Sequence, residues 1–266
     1  MYTTPLISAL GQQELAFVVE NPLQIKRSMG IVRIKSDKAD SLSLARYAQL
    51  HHKQLRLYQF QGKQLLKLRA LIQYRQKLIK ARVQFATTYK ELKEFTDADI
   101  HASIIEAWQE LQQQLQQHIK KAEDELKQLI KKDQALNKNF KLLISIKGIG
   151  PVTAYNTLAY TRNFTAFDNP KAFACYAGTA PFEHSSGSSI KRRNAVSQIA
   201  NKRLKALLHE AAWAAATWDP QIKKYYERLL EKGKPKLLII NNIKNKLIHR
   251  MFAVIKRQTP YVTFAH

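Results

Sequence analysis

The stretch Phe140-Lys141-Leu142-Leu143-Ile144-Ser145-Ile146-Lys147-Gly148-Ile149-Gly150-Pro151 decides how the rest of the chain is read. Phe140 to Ile146 is apolar enough for a helix, Lys147 to Pro151 is a tight turn, and Val152 to Tyr160 resumes a helical pattern. Two short helices about such a turn form a helix-hairpin-helix signature. Its glycines let a backbone come close to a phosphate, and the second helix opens with unpaired N–H groups and its positive dipole end. The same pattern also describes a plain helix connection with no ligand. The charge of the chain weighs toward phosphate: 44 Lys and Arg against 20 Asp and Glu leave a net +24, which repels itself unless a polyanion is present.

Upstream, residues 51–136 read as a helical arm. Leu68, Ile72, Ile79 and Val83 mark one segment, and Trp108, Leu111, Leu115, Ile119, Ala122, Leu126 and Leu129 recur at alternating three and four spacing in another. The second stripe is a coiled-coil seam or one side of a long antiparallel hairpin turning at Phe95-Thr96-Asp97, roughly 35 to 40 Å long at 1.5 Å per residue. A seam of that length predicts a homo-oligomer joined through the arm. Residues 1–50 alternate α and β, with a helix start at Pro5 to Leu10 and a buried strand at Leu15 to Val19 stopped by Asn21-Pro22. At Lys35-Ser36-Asp37-Lys38-Ala39-Asp40 a helix begins. Asp37 and Asp40 share one of its faces, a spacing that can present two oxygen ligands to Mg²⁺ and that equally suits helix capping.

Downstream, residues 137–266 carry short helices between Gly, Pro and small residues. Tyr176-Ala177-Gly178-Thr179-Ala180-Pro181 leads through a small-residue loop, Ser185-Ser186-Gly187, into Lys191-Arg192-Arg193. A serine in such a loop can attack a DNA phosphate while the cations stabilise the developing charge, although most Ser/Gly loops are only connectors. Asn201 to Trp218 is helical, with Lys202, Arg203 and Lys205 near its start, and the tail from Lys232 to Arg257 sets Lys and Arg among Leu and Ile. The nucleic-acid-binding set is therefore Lys147, Gly148, Gly150, Lys191, Arg192, Arg193, Lys202, Arg203 and Lys205. The single Cys175 excludes an internal disulfide and fits a reducing cytosol, no stretch has the apolar length of a membrane span, and the eight histidines do not pair at metal-ligand spacing.

Taken in order, Val19-Glu20-Asn21-Pro22 with Lys26, Lys35-Ser36-Asp37-x-x-Asp40-Ser41, the long arm, Gly148-Ile149-Gly150-Pro151-Val152-Thr153-Ala154, and Tyr176-Ala177-Gly178-x-x-Pro181 with Ser186-Gly187 resemble the insertion-sequence one-ten (DEDD) transposase family. The resemblance implies a mainly α chain: a partial RuvC-like α/β segment, a coiled-coil arm, and an all-α C-terminal transposase domain with the helix-hairpin-helix. It implies DNA transposition with Mg²⁺, guided by a structured RNA, in multimers working in the bacterial cytoplasm and on the nucleoid. Asp37 and Asp40 match the last two acids of the family's metal-binding tetrad. Ser186 matches the nucleophile, with Ser185 the alternative register. The first two acids have no counterpart, since Met1-Tyr2-Thr3 falls inside the segment that follows them, so the expectation is an N-terminally truncated enzyme of impaired activity. The alternative is a catalytically inactive nucleic-acid-binding remnant. A helical scaffold whose charge serves RNA is a third reading.

Overall fold

The computed structural model describes residues 3–30, 36–60, 62–95, 102–186, 190–196 and 199–262, which are mainly helical. They belong to two compact units, Met1–Gly62 and Lys63–His266.

The first unit holds α1 (Thr3–Gln12), α2 (Pro22–Ser28) and α3 (Asp37–His51). Asn21 caps α2 by accepting from Leu23 N–H at 2.9 Å with Pro22 in the first turn, and Ser36 caps α3 by accepting from Ala39 N–H at 3.2 Å. The expected buried strand at Leu15 to Val19 is reduced to one antiparallel bridge between Val18 and Leu57, and Leu15 and Val19 are exposed. An apolar run becomes a strand only where a neighbour takes its backbone groups, and here the one pairing comes from the segment after α3. That segment lies in the stretch, residues 51–136, that the sequence pattern predicts as a helical arm. Instead, Tyr58 N–H donates to Phe17 O at 2.8 Å, the Tyr58 and Phe17 rings stack at 5.2 Å, and Phe60 meets both edge-on. A Cβ on Gly11 would overlap the Phe60 ring, so α1 carries glycine where this cluster presses on it.

The second unit runs α4 (Lys63–Phe95), α5 (Ala102–Lys132), α6 (Gln134–Ile144), α7 (Pro151–Tyr160), α8 (Pro170–Tyr176), β1 (Pro181–Ser186), β2 (Ile190–Val196), α9 (Lys202–Trp218), α10 (Pro220–Glu231) and α11 (Lys236–Arg257). Helices α4 and α5 lie antiparallel, each between about 45 and 50 Å long at 1.5 Å per residue. Arg75 pairs with Glu123 at 2.7 Å, Arg82 bonds Gln116, and Gln109 donates to Tyr89 Oη at 2.9 Å. Residues 96 and 97 of the expected turn lie outside the described residues. The α5 stripe is used inside the chain: Ile119, Ala122, Leu126 and Leu129 are buried, while Trp108, Leu111 and Leu115 toward the far end are half-buried. Of the two readings of that stripe, the structure has the antiparallel hairpin. A seam offered to a second copy is met first by α4, which the connecting chain holds at high effective concentration.

At the foot of this hairpin lies the core. Helix α7 is buried from Thr153 to Ala159, walled by α9 (Leu204, Leu208, Ala211, Ala212, Ala215) and by α11, whose Ile239, Ile240, Ile243, Leu247, Ile248, Met251 and Val254 have essentially no exposure. Arg69 of α4 donates from Nε and Nη2 to Ala159 O at 3.1 and 3.0 Å, setting a cation at the carbonyl end of α7. Gly148 has φ +93°, and a Cβ there would stand 2.6 Å from Ala211 O and 2.7 Å from Ala215 Cβ, so the alanine face of α9 and the glycine turn approach each other because neither has a side chain in the way. Within the expected loop from Tyr176 to Arg193, Pro181–Ser186 and the start of Ile190–Val196 are instead paired strands, which makes the C-terminal segment helical with one two-stranded exception among the described residues. Two β-capable runs separated in sequence by three Gly and Ser residues are a hairpin pattern.

Asp219 joins three helices. It ends α9, caps α10 by accepting from Ile222 N–H at 2.9 Å, and pairs through Oδ2 with Arg250 Nη1 of α11 at 2.7 Å, with no exposure of its own. Removing one partner of a buried pair leaves an uncompensated charge and costs about 3 to 5 kcal/mol. Asp219→Ala is expected to lower unfolding stability by that amount in a denaturant titration. Asp219→Asn, which retains a cap oxygen, should lose less, and an Asn variant as stable as the native chain would show that the ion pair contributes nothing beyond the cap.

Candidate functional site

The β hairpin hangs from a hydrogen-bonded root. Gly178 closes α8 at φ +65°, with Thr179 N–H donating back to Ala174 O at 2.9 Å. Thr179 is fully buried, its hydroxyl donates to Asn245 Oδ1 at 2.7 Å, and its carbonyl accepts from Asn241 Nδ2 and Asn245 Nδ2 of α11, both at 2.9 Å. On the other side, Asn201 N–H donates to Tyr176 O at 3.0 Å, its Nδ2 donates to Tyr176 Oη at 3.0 Å, and its Oδ1 caps α9 at Leu204 N–H, 2.9 Å. The Tyr176-Ala177-Gly178-Thr179 motif is therefore a structural launch point: it stops a helix and fixes the direction in which β1 leaves.

Along the hairpin, the backbone register sets Ser185 opposite Lys191, His184 opposite Arg192 and Ser186 opposite Ile190, with an irregularity between Phe182 and His184 that leaves one extra residue on β2. Ser185 and Ser186 are thus the last two residues of β1, and Lys191, Arg192 and Arg193 lie on the facing strand. Gly187 lies outside the described residues.

The other expected residues fall in two places. Asp37 and Asp40 are exposed in the first turn of α3, within the first unit, where their charge also suits the helix dipole. Two carboxylates from one turn satisfy the oxygen preference of Mg²⁺ but supply a minority of its octahedral ligands. Among the described residues no group of three or more His, Cys, Asp or Glu is placed to hold a metal ion. Lys147 and Gly150 are exposed at the turn before α7, with open space above Gly150, which is the helix N-cap without a side-chain cap bond. Gly148 instead faces α9. Lys202, Arg203 and Lys205 occupy the first turn of α9, where cations oppose the helix dipole unless an anion balances them. Arg203 lines a small cavity with Val152, Asn156 and Arg75, which brings the α9 start next to α7. Arg203 Nε and Asn156 Oδ1 there are buried without a hydrogen-bond partner.

Sequence reasoning overlooked three features. Asn241 and Asn245 are one helical turn apart on an Ile-rich helix, and polar amides at core spacing were the available signal. Tyr225 of α10, with Lys246 of α11 at 4.4 Å from its ring centre, had no signal short of knowing which helices pair. Lys244, 6% exposed, was counted with the tail cations, yet it is buried beside Lys205.

Two transposase family models match this chain, one in each half of it. Residues 1–94 match a family described as transposase of the DEDD, IS110 type, and residues 140–227 match the Transposase IS116/IS110/IS902 family. The chain is 32% identical over 251 residues to the pilin gene-inverting proteins of Moraxella lacunata and Moraxella bovis, an alignment that covers 91% of this chain and 73% of each relative. It is also 32% identical over 120 residues to an uncharacterized insertion element IS110 protein of Streptomyces coelicolor, covering 45% of this chain and 29% of that one.

Burial, and then repulsion from Lys205, pulls the Lys244 ammonium below the ordinary lysine range. Between the folded and unfolded values the unfolded chain binds more protons, so Lys244 makes stability rise with pH in a window just below 10.5, and its unfavourable charging is fully felt at neutral pH. Lys244→Met is expected to raise Tm at pH 7 by about 2 to 4 °C, corresponding to about 1 kcal/mol, and to flatten that alkaline rise. A melting series across pH checks both, and a lowered Tm at pH 7 would show that the ammonium is stabilising where it sits.

Proposed function

The chain belongs to the Transposase IS116/IS110/IS902 family, and we propose on that premise that it breaks and rejoins DNA through a serine on the β1–β2 hairpin. The carrying observation is the hairpin register, which sets Ser185 and Ser186 at the end of β1, Ser185 opposite Lys191 and Ser186 opposite Ile190, the residue that precedes the basic run of β2. In the proposed step the Ser186 oxygen forms a bond to a DNA phosphorus as one strand oxygen leaves, taking up a proton to become a hydroxyl end. The serine proton passes to a base or to water. A hydroxyl end of the incoming strand then attacks the same phosphorus and releases the serine. Because each bond broken is replaced by one formed, no outside energy source is consumed. Cations at Lys191, Arg192 and Arg193 would stabilise the extra charge on phosphorus, which is the largest contribution such a site can make.

Around this centre, Lys147, Gly150, Lys202, Arg203 and Lys205 are proposed to hold the DNA backbone, the turn before α7 through free N–H groups and the α9 start through its unbalanced cations. A structured RNA as guide and a multimeric assembly are proposed from the family resemblance and the net +24. The α5 stripe is already packed on α4, so assembly would use another surface. Magnesium, when bound by the family's acidic residues, supplies charge neutralisation at the phosphate; Asp37 and Asp40 are the residues of this chain proposed to contribute to it. One observation favours a second reading, a nucleic-acid-binding protein without strand transfer: the absence among the described residues of a third metal-binding side chain near Asp37 and Asp40.

The test uses the full chain with supercoiled DNA carrying the flanks of its own gene, RNA transcribed from those flanks, and Mg²⁺, followed by denaturing gels for protein–DNA adducts. Adducts are expected with the native chain and with Ser185→Ala, and at least 100-fold less with Ser186→Ala. Adducts from Ser186→Ala but not Ser185→Ala would move the nucleophile by one residue; adducts from both variants would overturn the serine mechanism. Binding of both nucleic acids with no adduct from the native chain would establish the second reading.

A further inference from the structure

Away from the serine hairpin, α10 and α11 enclose a groove of about 860 Å³. One wall is a single face of α10, with Gln221, Lys224, Tyr225 and Arg228 at i, i+3, i+4 and i+7; the other is a face of α11 carrying Asn242, Lys246 and His249. Among the described residues no Asp or Glu lines it. Arg250 also borders the groove, but its charge is committed to Asp219 at 2.7 Å. Two further cations on the groove walls, Arg228 and Lys246, gather about one aromatic ring. The Lys246 ammonium stands 4.4 Å from the Tyr225 ring centre and the Arg228 guanidinium 5.7 Å from it, and Tyr225 itself is half-buried.

We propose that this groove binds a single-stranded segment of polynucleotide, with one base stacked on Tyr225 and the flanking phosphates on Arg228 and Lys246. The inference rests on the reading of the chain as a DNA-acting protein and adds to it a site of defined chemistry. A volume of about 860 Å³ falls within the roughly 300 to 1,000 Å³ typical of small-molecule sites, room for a base and its sugar-phosphate rather than for a helix. A ring set between two helices can reach only a base whose face is free, and a duplex covers those faces, so the groove selects unpaired nucleotides. Cations held over an aromatic ring are positioned to exchange that contact for a phosphate when a base takes the ring. Asn242 and His249 on the α11 wall offer hydrogen-bonding groups for a base edge.

The experiment measures the fluorescence anisotropy of labelled 12-nucleotide single-stranded DNA, single-stranded RNA of the same sequence, and the matching duplex with the full chain at constant salt. Tyr225→Ala is expected to weaken binding of the favoured single strand about tenfold, the size of one lost stacking contact, and to leave duplex affinity within about twofold. Tyr225→Phe, which retains the ring, is expected to bind like the native chain, and Lys246→Ala to lower the salt slope for single strands by about 0.7. Which single strand responds identifies DNA or RNA as the occupant. An equal loss on duplex and single strands, or Tyr225→Phe behaving like Tyr225→Ala, would overturn the stacked-base site while leaving the DNA-acting reading in place. If the native chain bound none of the three, both would fall.

Discussion

Three helices of the second unit take their relative placement from one buried carboxylate. Asp219 ends α9, starts α10 and holds Arg250 of α11, all without solvent contact. The remaining arrangement follows from that junction. Helix α11, once fixed, offers Asn241 and Asn245 to Thr179, and α9, once fixed, offers Asn201 to Tyr176. Those contacts are the two roots of the β hairpin. The direction in which Ser185 and Ser186 are carried is therefore set by amides and a carboxylate that never need to touch DNA.

The same junction sorts the cations. A chain of net +24 has to place its charge where water or a polyanion can solvate it, and Arg250 is taken out of that population by its buried partner. Lys205 and Lys244 repel one another near the hairpin root, Lys202 and Arg203 stand against the dipole of α9, and Lys246 and Arg228 lie over a tyrosine. The first two settings are unfavourable for an isolated cation and ease when a phosphate arrives, while the cations over the tyrosine are attracted by its ring and can turn to a phosphate as well. The tension in the free protein is thus directed at one class of ligand, which fits membership in a transposase family.

Local periodicity made some of this legible. The Gly148 turn, the start of α3 at Ser36 and the α5 stripe all follow rules spanning fewer than eight residues, and the structure places each where the pattern indicated. What the pattern could not supply was partners. The α5 stripe has the same spacing whether it meets α4 or another chain, and Leu15 to Val19 reads as a strand whether or not a neighbour completes it. Residues 176–193 looked like a loop because Gly and Ser dominate its middle, while the strand signal lay in the flanks at Phe182 and Ile190 to Val196. The turn predicts that Gly148 faces phosphate, and its missing side chain is explained as well by Ala211 and Ala215 of α9, 63 and 67 positions further along the chain. The Tyr225 groove has no sequence signal for the same reason, and the Asn241–Asn245 clamp shows only as amides at core spacing without a partner, since both exist only after α10, α11 and the α8 end have been brought together.

All of these cations are argued to face phosphate, and the most direct measurement of that claim is the affinity of the full chain for duplex DNA as a function of salt. If six to ten phosphates are engaged, affinity falls by about 10³ to 10⁵ between 50 and 200 mM salt, because each neutralised phosphate releases condensed counterions. A fall in that range is the expected result. An affinity that stays flat across the same interval would contradict it, and would mean that the charge of the chain serves something other than a polynucleotide.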